Sequence, residues 1–197
     1  MSGRGHSRRE PDADLAEGLR RAQNGEEQGF RLLWLEYQPR VLRYVTARGA
    51  HAPEDVASET WLRVVRELGR FSGGIDEFTP WLFTVARNQA IDAARHRARR
   101  PVLLAPPEEL LDHPGGGDPV QEVLNRLSLQ DALALIRSLP EDQADAVALR
   151  VIADLDPVTV ARVLGKSPGA VRVATHRGLR TLAARLSAAV STGGVTP

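Results

Sequence analysis

Aromatic residues occupy one stretch of this chain and no other. All nine, Phe30, Trp34, Tyr37, Tyr44, Trp61, Phe71, Phe78, Trp81 and Phe83, fall in the first half of a 197-residue sequence. Rings supply the largest buried areas available to a core, so whatever folds after Phe83 must be built from Leu, Val, Ile and Ala. Two cores of different make-up imply two domains. Between them, residues 101–119 read PVLLAPPEELLDHPGGGDP, whose prolines and glycine triplet cannot hold a regular helix and so form a linker. The expected division is an N-terminal arm over 1–11, a first domain over 12–100, a flexible acidic linker over 101–118, a second domain over 119–190 and a tail over 191–197.

The apolar period is helical throughout. Phe30, Leu33, Trp34 and Tyr37 recur at helical spacing, as do Ala57, Trp61, Val64 and Leu68. Four helix starts carry an oxygen-bearing cap before a proline: Thr79-Pro80, Asp118-Pro119, Asp156-Pro157 and Ser167-Pro168. Asn24-Gly25, Gly49, Gly69 and Gly165 stand where helices should stop. No alternating β-branched run sits between hairpin turns. The pattern predicts an all-α chain with helices near 12–24, 27–48 (bent at Pro39), 53–69 and 80–99, then 119–138, 140–154, 157–164 and 168–190.

Charge totals are uninformative, since 26 basic against 25 acidic residues leave a net charge of +1. Their order is not. No acid follows Asp156, while Arg162, Lys166, Arg172, Arg177, Arg180 and Arg185 do. The stretch from Pro101 to Asp156 is strongly acidic, and RNQAIDAARHRARR from Arg87 to Arg100 holds Asp92 as its single acid. Two basic blocks in a near-neutral chain suggest contacts with a polyanion at two places, against the plainer alternative of solvated helix faces. With no cysteine, disulfide frameworks, thiolate metal sites and cysteine nucleophiles are excluded. No uncharged apolar run approaches the roughly 20 residues of a membrane span, and MSGRGHSRREPDAD lacks the apolar core of a signal peptide. A cytoplasmic protein with no direct membrane insertion is expected. Little follows Leu186, so a C-terminal sensory domain is not.

From Pro157, PVTVARVLGKSPGAVRVATHRGLRTLAARL reads as a helix-turn-helix. Val160, Ala161 and Leu164 pack a short helix, Gly165 takes the left-handed turn, and a longer helix starts at Pro168. On it, Val171, Thr175, Leu179, Leu182 and Leu186 form the inward stripe. Gly169, Val173, His176, Arg177 and Arg180 share the other side, with Arg172 at its edge. An acid-free helix with arginine outward suits the major groove, and Arg162, Lys166 and Arg180 are placed to meet phosphates. His176 taken singly would be a surface histidine.

Upstream, Thr84, Asn88, Arg95 and Arg99 are four or seven apart and share one polar face. Phe83 belongs to the core, whereas Trp81 is either core or binding surface. Asp55, Glu59, Leu62 and Arg66 lie opposite Trp61, an acidic surface around an exposed Leu that fits protein docking or is merely a solvated face. Asp92 and His96 stand four apart within a basic helix without a third ligand, so neither metal nor other cofactor is expected.

These ordered segments, FRLLWLEYQPRVLRYV, APEDVASETWLRVVREL, FTPWLFTVARNQAIDAARHRARR, LIRSLPEDQADAVALRVIADL and the helix-turn-helix, resemble the extracytoplasmic-function (ECF) group of the sigma-70 family from about Asp12 to Leu186. The resemblance implies an RNA polymerase sigma factor without a catalytic site, whose partners are core RNA polymerase (the β′ clamp helices and the β subunit), promoter DNA and an anti-sigma factor. It assigns Thr84, Arg87, Asn88, Arg95, Arg97, Arg99 and Arg100 to the −10 element, with Asn88 near the pocket for an extruded base. Arg162, Lys166, Gly169, Arg172, Val173, His176, Arg177 and Arg180 go to the −35 element. Asp55, Glu59, Leu62 and Arg66 go to core polymerase, and Glu108, Glu109, Asp112 and Asp118 of the linker stand in for RNA phosphates. Val158-Thr159 replaces a pair of acids common in relatives, and Ala174 stands where an arginine is frequent, so the −35 sequence is expected to differ. A helix-turn-helix regulator acting on duplex DNA without polymerase is the rival. A helical hydrolase is disfavoured by the lack of paired carboxylates or a Gly-rich phosphate loop.

Overall fold

The computed structural model describes residues 9–99 and 129–192. The expected linker, the helix start at Asp118-Pro119 and Arg100 lie outside the described residues. Within them every regular element is helical: α1 (Arg9–Gln23), α2 (Glu27–Ala47), α3 (Pro53–Leu68), α4 (Ile75–Arg99), α5 (Leu129–Arg137), α6 (Glu141–Val147), a π-helical turn (Ala148–Ile152), α7 (Pro157–Leu164) and α8 (Pro168–Thr192). Beginning at Arg9, α1 takes in the last residues of the expected arm.

In the first domain α1 crosses α2 at a point where Gly29 leaves no room for a side chain: a Cβ there would stand 2.5 Å from both the Ala22 nitrogen and the Gly18 oxygen. Leu33, Tyr37, Val41 and Tyr44 of α2 face inward with Val64, Phe78 and Phe83. Edge-to-face ring pairs, Tyr37–Phe78 at 5.5 Å and Tyr44–Phe83 at 6.0 Å, tie α2 to α4. Trp34, expected on the inward stripe, is 41% exposed, because Leu33 and Tyr37 already define that face and Trp34 sits a step around it.

The fourth helix starts a turn earlier than Thr79-Pro80 indicates. Gly74 acts as its N-cap, and Glu77 Oε2 accepts the Gly74 N–H at 3.0 Å, the carboxylate half of a capping box. Pro80 therefore lies inside α4, where its missing N–H frees the carbonyl of Asp76 four residues back. Arg162 of α7 supplies the substitute, donating from Nη1 to Asp76 O at 3.0 Å.

Other caps follow expectation. Asp156 accepts from the backbone N–H of Val158 at 2.8 Å and Thr159 at 3.1 Å, and Gly165 closes α7 at φ +63°. Burial would raise the Asp156 pKa, but the Thr159 hydroxyl and the two backbone donors outweigh it and hold the carboxyl below its usual value. Asp156→Ala is expected to cost about 1 kcal/mol at neutral pH. A depressed folded pKa contributes stability above the unfolded value and loses it as pH falls through the folded one. The gap between variant and parent in denaturant melts should therefore narrow only below about pH 4; a constant gap down to pH 2 would remove the ionised cap from the account.

The helix expected over 140–154 is interrupted. After Val147 it widens into the π-helical turn, with Ala153 N–H bonded to Ala148 O and Leu155 N–H to Leu149 O, and Asp154 takes φ 51°. The carbonyls this releases are taken by α2: Arg40 donates to Ala153 O and Asp154 O, each at 3.0 Å, and Arg43 to Ile152 O at 3.2 Å. The domains thus pack on each other, and buried apolar residues run without a break from Phe83 to Leu149, Leu155 and Val160. The two separate cores expected from composition are instead one continuous apolar cluster, ring-rich on the α1–α4 side and aliphatic beyond it, beside a small satellite of Ile136, Leu139, Ala144 and Val147.

Candidate nucleic-acid interface

The second domain presents the helix-turn-helix geometry. Val160, Ala161 and Val163 of α7 are buried, and Ser167 Oγ accepts the Ala170 N–H at 3.2 Å to start α8. Val171 is fully buried, but Leu179, placed on the inward stripe by its spacing, is 44% exposed. Gly178 goes inward instead, and a Cβ there would meet Val147 Cγ2 at 2.7 Å. The inward positions are 171, 175, 178 and 182, a tighter repeat that rotates Leu179 to the surface. Gly169, Arg172, Val173, His176, Arg177 and Arg180 are all exposed. Among the described residues the arginines of this face form no ion pair, which leaves their guanidinium groups available to an incoming anion.

Arg162 and Lys166 are exposed or half-exposed but engaged: Arg162 also lies 3.9 Å from Glu77, and Lys166 pairs with Asp142.

Along α4, Asn88, Arg95 and Arg97 are exposed, with Arg95 3.8 Å from Asp92. Thr84 is half-buried and donates its hydroxyl to Pro80 O at 2.7 Å, so it flanks the polar face with its methyl rather than its proton. Arg99 ends the helix. Trp81 stacks on Phe71 with centroids 4.8 Å apart, and both line an open cleft of about 490 Å³ with Glu67, Arg70 and Ser72. Trp81, Thr84 and Asn88 follow at helical spacing, so the cleft opens on the side of α4 that bears Asn88. Sequence reasoning left Trp81 undecided and did not find Phe71 or the loop after α3; a half-exposed ring pair is the signal.

Arg87 faces elsewhere. Its Nε binds Asp145 Oδ2 at 2.9 Å, while Arg48 Nε binds Asp145 Oδ1 at 2.8 Å. Glu141 approaches Arg87 at 3.7 Å, and the Tyr44 hydroxyl donates to Asp145 Oδ1 at 3.4 Å. Asp145, on α6 of the second domain, is buried, and the arginines come from the C-cap of α2 and from α4 of the first. Burial alone would lower the Arg87 pKa, but the Asp145 charge and hydrogen bond more than offset it and raise it. Burial, then the same charge, pushes the Tyr44 hydroxyl well up. Neither Arg48 nor Asp145 stood out in the sequence.

Asp55, Glu59, Leu62 and Arg66 are exposed on α3 as their spacing requires, and Leu62 is joined by exposed Val65. Among the described residues no three His, Asp or Glu side chains gather as a metal site, and no helix is long and apolar enough to cross a membrane.

Comparison with known proteins agrees with this layout. Residues 33–100 match Sigma-70 region 2 and residues 129–182 match Sigma-70, region 4. The first match removes the rival in which the helix-turn-helix is joined to an unrelated helical domain. The chain is 36% identical over 184 residues to the ECF RNA polymerase sigma factor BldN of Streptomyces coelicolor, covering 90% of this chain and 69% of that one. It is 32% identical over 175 residues to the ECF RNA polymerase sigma factor ShbA of Streptomyces griseus, covering 84% and 92%. In fold it is similar to CnrH, solved in complex with the cytosolic domain of CnrY, at a TM-score of 0.66 and 22% identity over 91% of this chain and 99% of that one. Region 2, region 4 and these relatives together make the chain a member of the ECF group of the sigma-70 family, an RNA polymerase sigma factor.

Proposed function

We propose that this sigma factor reads a promoter with two surfaces while a third holds it on core polymerase. The carrying observation is the exposed, acid-free face of α8, where Arg172, Val173, His176 and Arg177 stand ready for base edges of a −35 element. Arg180, Arg162 and Lys166 serve the flanking phosphates. Asn88 and the Trp81–Phe71 cleft face the −10 element. A base turned out of the duplex costs a few kcal/mol of stacking, which an aromatic platform and an amide return. Arg95, Arg97, Arg99 and Arg100 hold the adjoining backbone, with Thr84 beside them. Asp55, Glu59, Leu62 and Arg66 dock on the β′ clamp helices, and region 4 contacts the β subunit. The chain works in the cytoplasm, performs no catalysis itself, and is held by an anti-sigma factor, as the RpoE of Bartonella quintana is described in complex with NepR.

The test adds the protein to bacterial core polymerase on a promoter library and maps transcript starts. Promoter-specific initiation is expected; failure to bind core or to select promoters overturns the reading. Under the same conditions Asn88→Ala should lower initiation on duplex templates about tenfold and recover on a premelted template. An unchanged duplex profile would take Asn88 out of the −10 surface.

A further inference from the structure

Of the Arg48–Asp145–Arg87 cluster only Arg87 was expected at the −10 element, and no surface above uses Arg48 or Asp145. Two guanidinium groups, one from the C-cap of α2 and one from α4, grip opposite oxygens of a single carboxylate at 2.8 and 2.9 Å. Both arginines belong to the first domain, and among the described residues the carboxylate is the one buried charge that the second domain contributes. Without it, two like charges would converge unneutralised where its two oxygens now sit, an arrangement that asks for a replacement anion. A phosphodiester presents two non-bridging oxygens in the same way. Arg87 also lies one residue from exposed Asn88, so a strand lying against Asn88 passes within reach of the site.

We propose that Arg48 and Arg87 form a DNA-phosphate site on the first domain and that Asp145 occupies it as an internal phosphate surrogate while the domains are packed together. This rests on the promoter-binding reading above and adds to it a site and a switch. The closed arrangement also ties Arg162 to Asp76 O and Glu77. It therefore withdraws Arg162, expected to meet phosphate, together with Arg87, assigned to the −10 element, and leaves the base-facing groups Asn88, Arg172, His176 and Arg177 exposed. Masking falls on part of the sequence-independent DNA affinity, since Arg95, Arg97 and Arg180 stay exposed. The free chain is kept off bulk DNA, and separation of the domains exchanges Asp145 for the DNA backbone.

The experiment uses the full chain without polymerase. Its lack of cysteine lets a dye pair be placed at exposed Ser58 and Ala183 through S58C and A183C, so energy transfer reports domain separation. Asp145→Asn should separate the domains and tighten binding to a 30-nucleotide oligothymidylate about tenfold, the factor expected if about one chain in ten is open beforehand. The slope of log affinity against log salt should steepen by about one to two. Arg48→Gln in the Asp145→Asn background should cancel the gain while the domains stay apart. If Asp145→Asn does not fold, as read by its helical melt, Arg40→Ala with Arg43→Ala loosens the same contact from its solvent side and should give a smaller gain that again needs Arg48. Separation without tighter binding, or a gain that survives Arg48→Gln, overturns the site. So does competition by polyglutamate as strong as that by the oligonucleotide, which would assign the arginines to an acidic protein. Wild-type initiation with core polymerase is scored apart. Its failure beside an Arg48-dependent gain sinks the promoter reading, and its success without that gain sinks the site.

Discussion

Alanine at both Arg172 and Arg177 is expected to lower discrimination between −35 sequences about 100-fold while leaving the amount of chain bound to core polymerase unchanged. Each arginine in bidentate contact with a base edge is worth about 1–3 kcal/mol of discrimination, and two such contacts multiply. Both side chains are exposed on α8, so their removal opens no cavity and the melting temperature should stay within about 2 °C. The face proposed for core docking lies on α3, in the other domain. Transcript mapping on promoters with randomised −35 positions reads the first effect, and retention on immobilised core polymerase reads the second. Loss of core binding with selectivity intact would mean that the arginine face of α8 touches polymerase rather than DNA.

Gly29→Ala carries the largest expected effect on folding. The added methyl would approach the Ala22 nitrogen and the Gly18 oxygen at 2.5 Å, and Arg21 Cβ at 2.6 Å. Two of these are backbone atoms of α1, which cannot swing aside as a side-chain end does, so the helix pair must separate. Overpacking of this kind costs about 3 kcal/mol, or roughly 6–12 °C in melting temperature for a chain of this size. Gly18→Ala is the control. Its Cβ would meet Leu32 Cβ at 3.3 Å, a side-chain contact that can yield, and the expected loss is under about 1 kcal/mol. Equal losses at the two positions would show that helix propensity or the unfolded chain, rather than the α1–α2 crossing, sets the cost.

The parts of this structure governed by neighbours in sequence were legible from sequence. Asp156-Pro157 and Gly165 bracket α7 where expected because cap, proline and left-handed glycine act within a single turn. The start of α4 was not, since two signals competed. Thr79-Pro80 has the better local pattern, but Gly74 and Glu77 close a capping box one turn earlier, and the carbonyl that Pro80 abandons is rescued by a residue 86 positions away. Leu179 was misplaced by one step of helix rotation, because a stripe drawn on large apolar residues cannot anticipate that Gly178 seats the closest approach. The exposure of Arg172, His176 and Arg177 on α8 followed from period and charge alone. Asp145 could not be found that way. In the sequence it is one acid among many in an acidic stretch, and its distinction comes from two arginines that the fold carries to it from 58 and 97 residues upstream.

Pro80 has one more effect. A helix with every carbonyl internally bonded has nothing to offer a neighbouring domain, whereas the Asp76 oxygen that Pro80 leaves without a helical donor accepts from Arg162 and could as well accept from water. Undocking therefore swaps one hydrogen bond for another of similar enthalpy and leaves the rod of α4 unaltered. On the proposed switch, the same helix would serve as a berth in the resting molecule and as a rail for nucleic acid afterwards, with no refolding between the two duties.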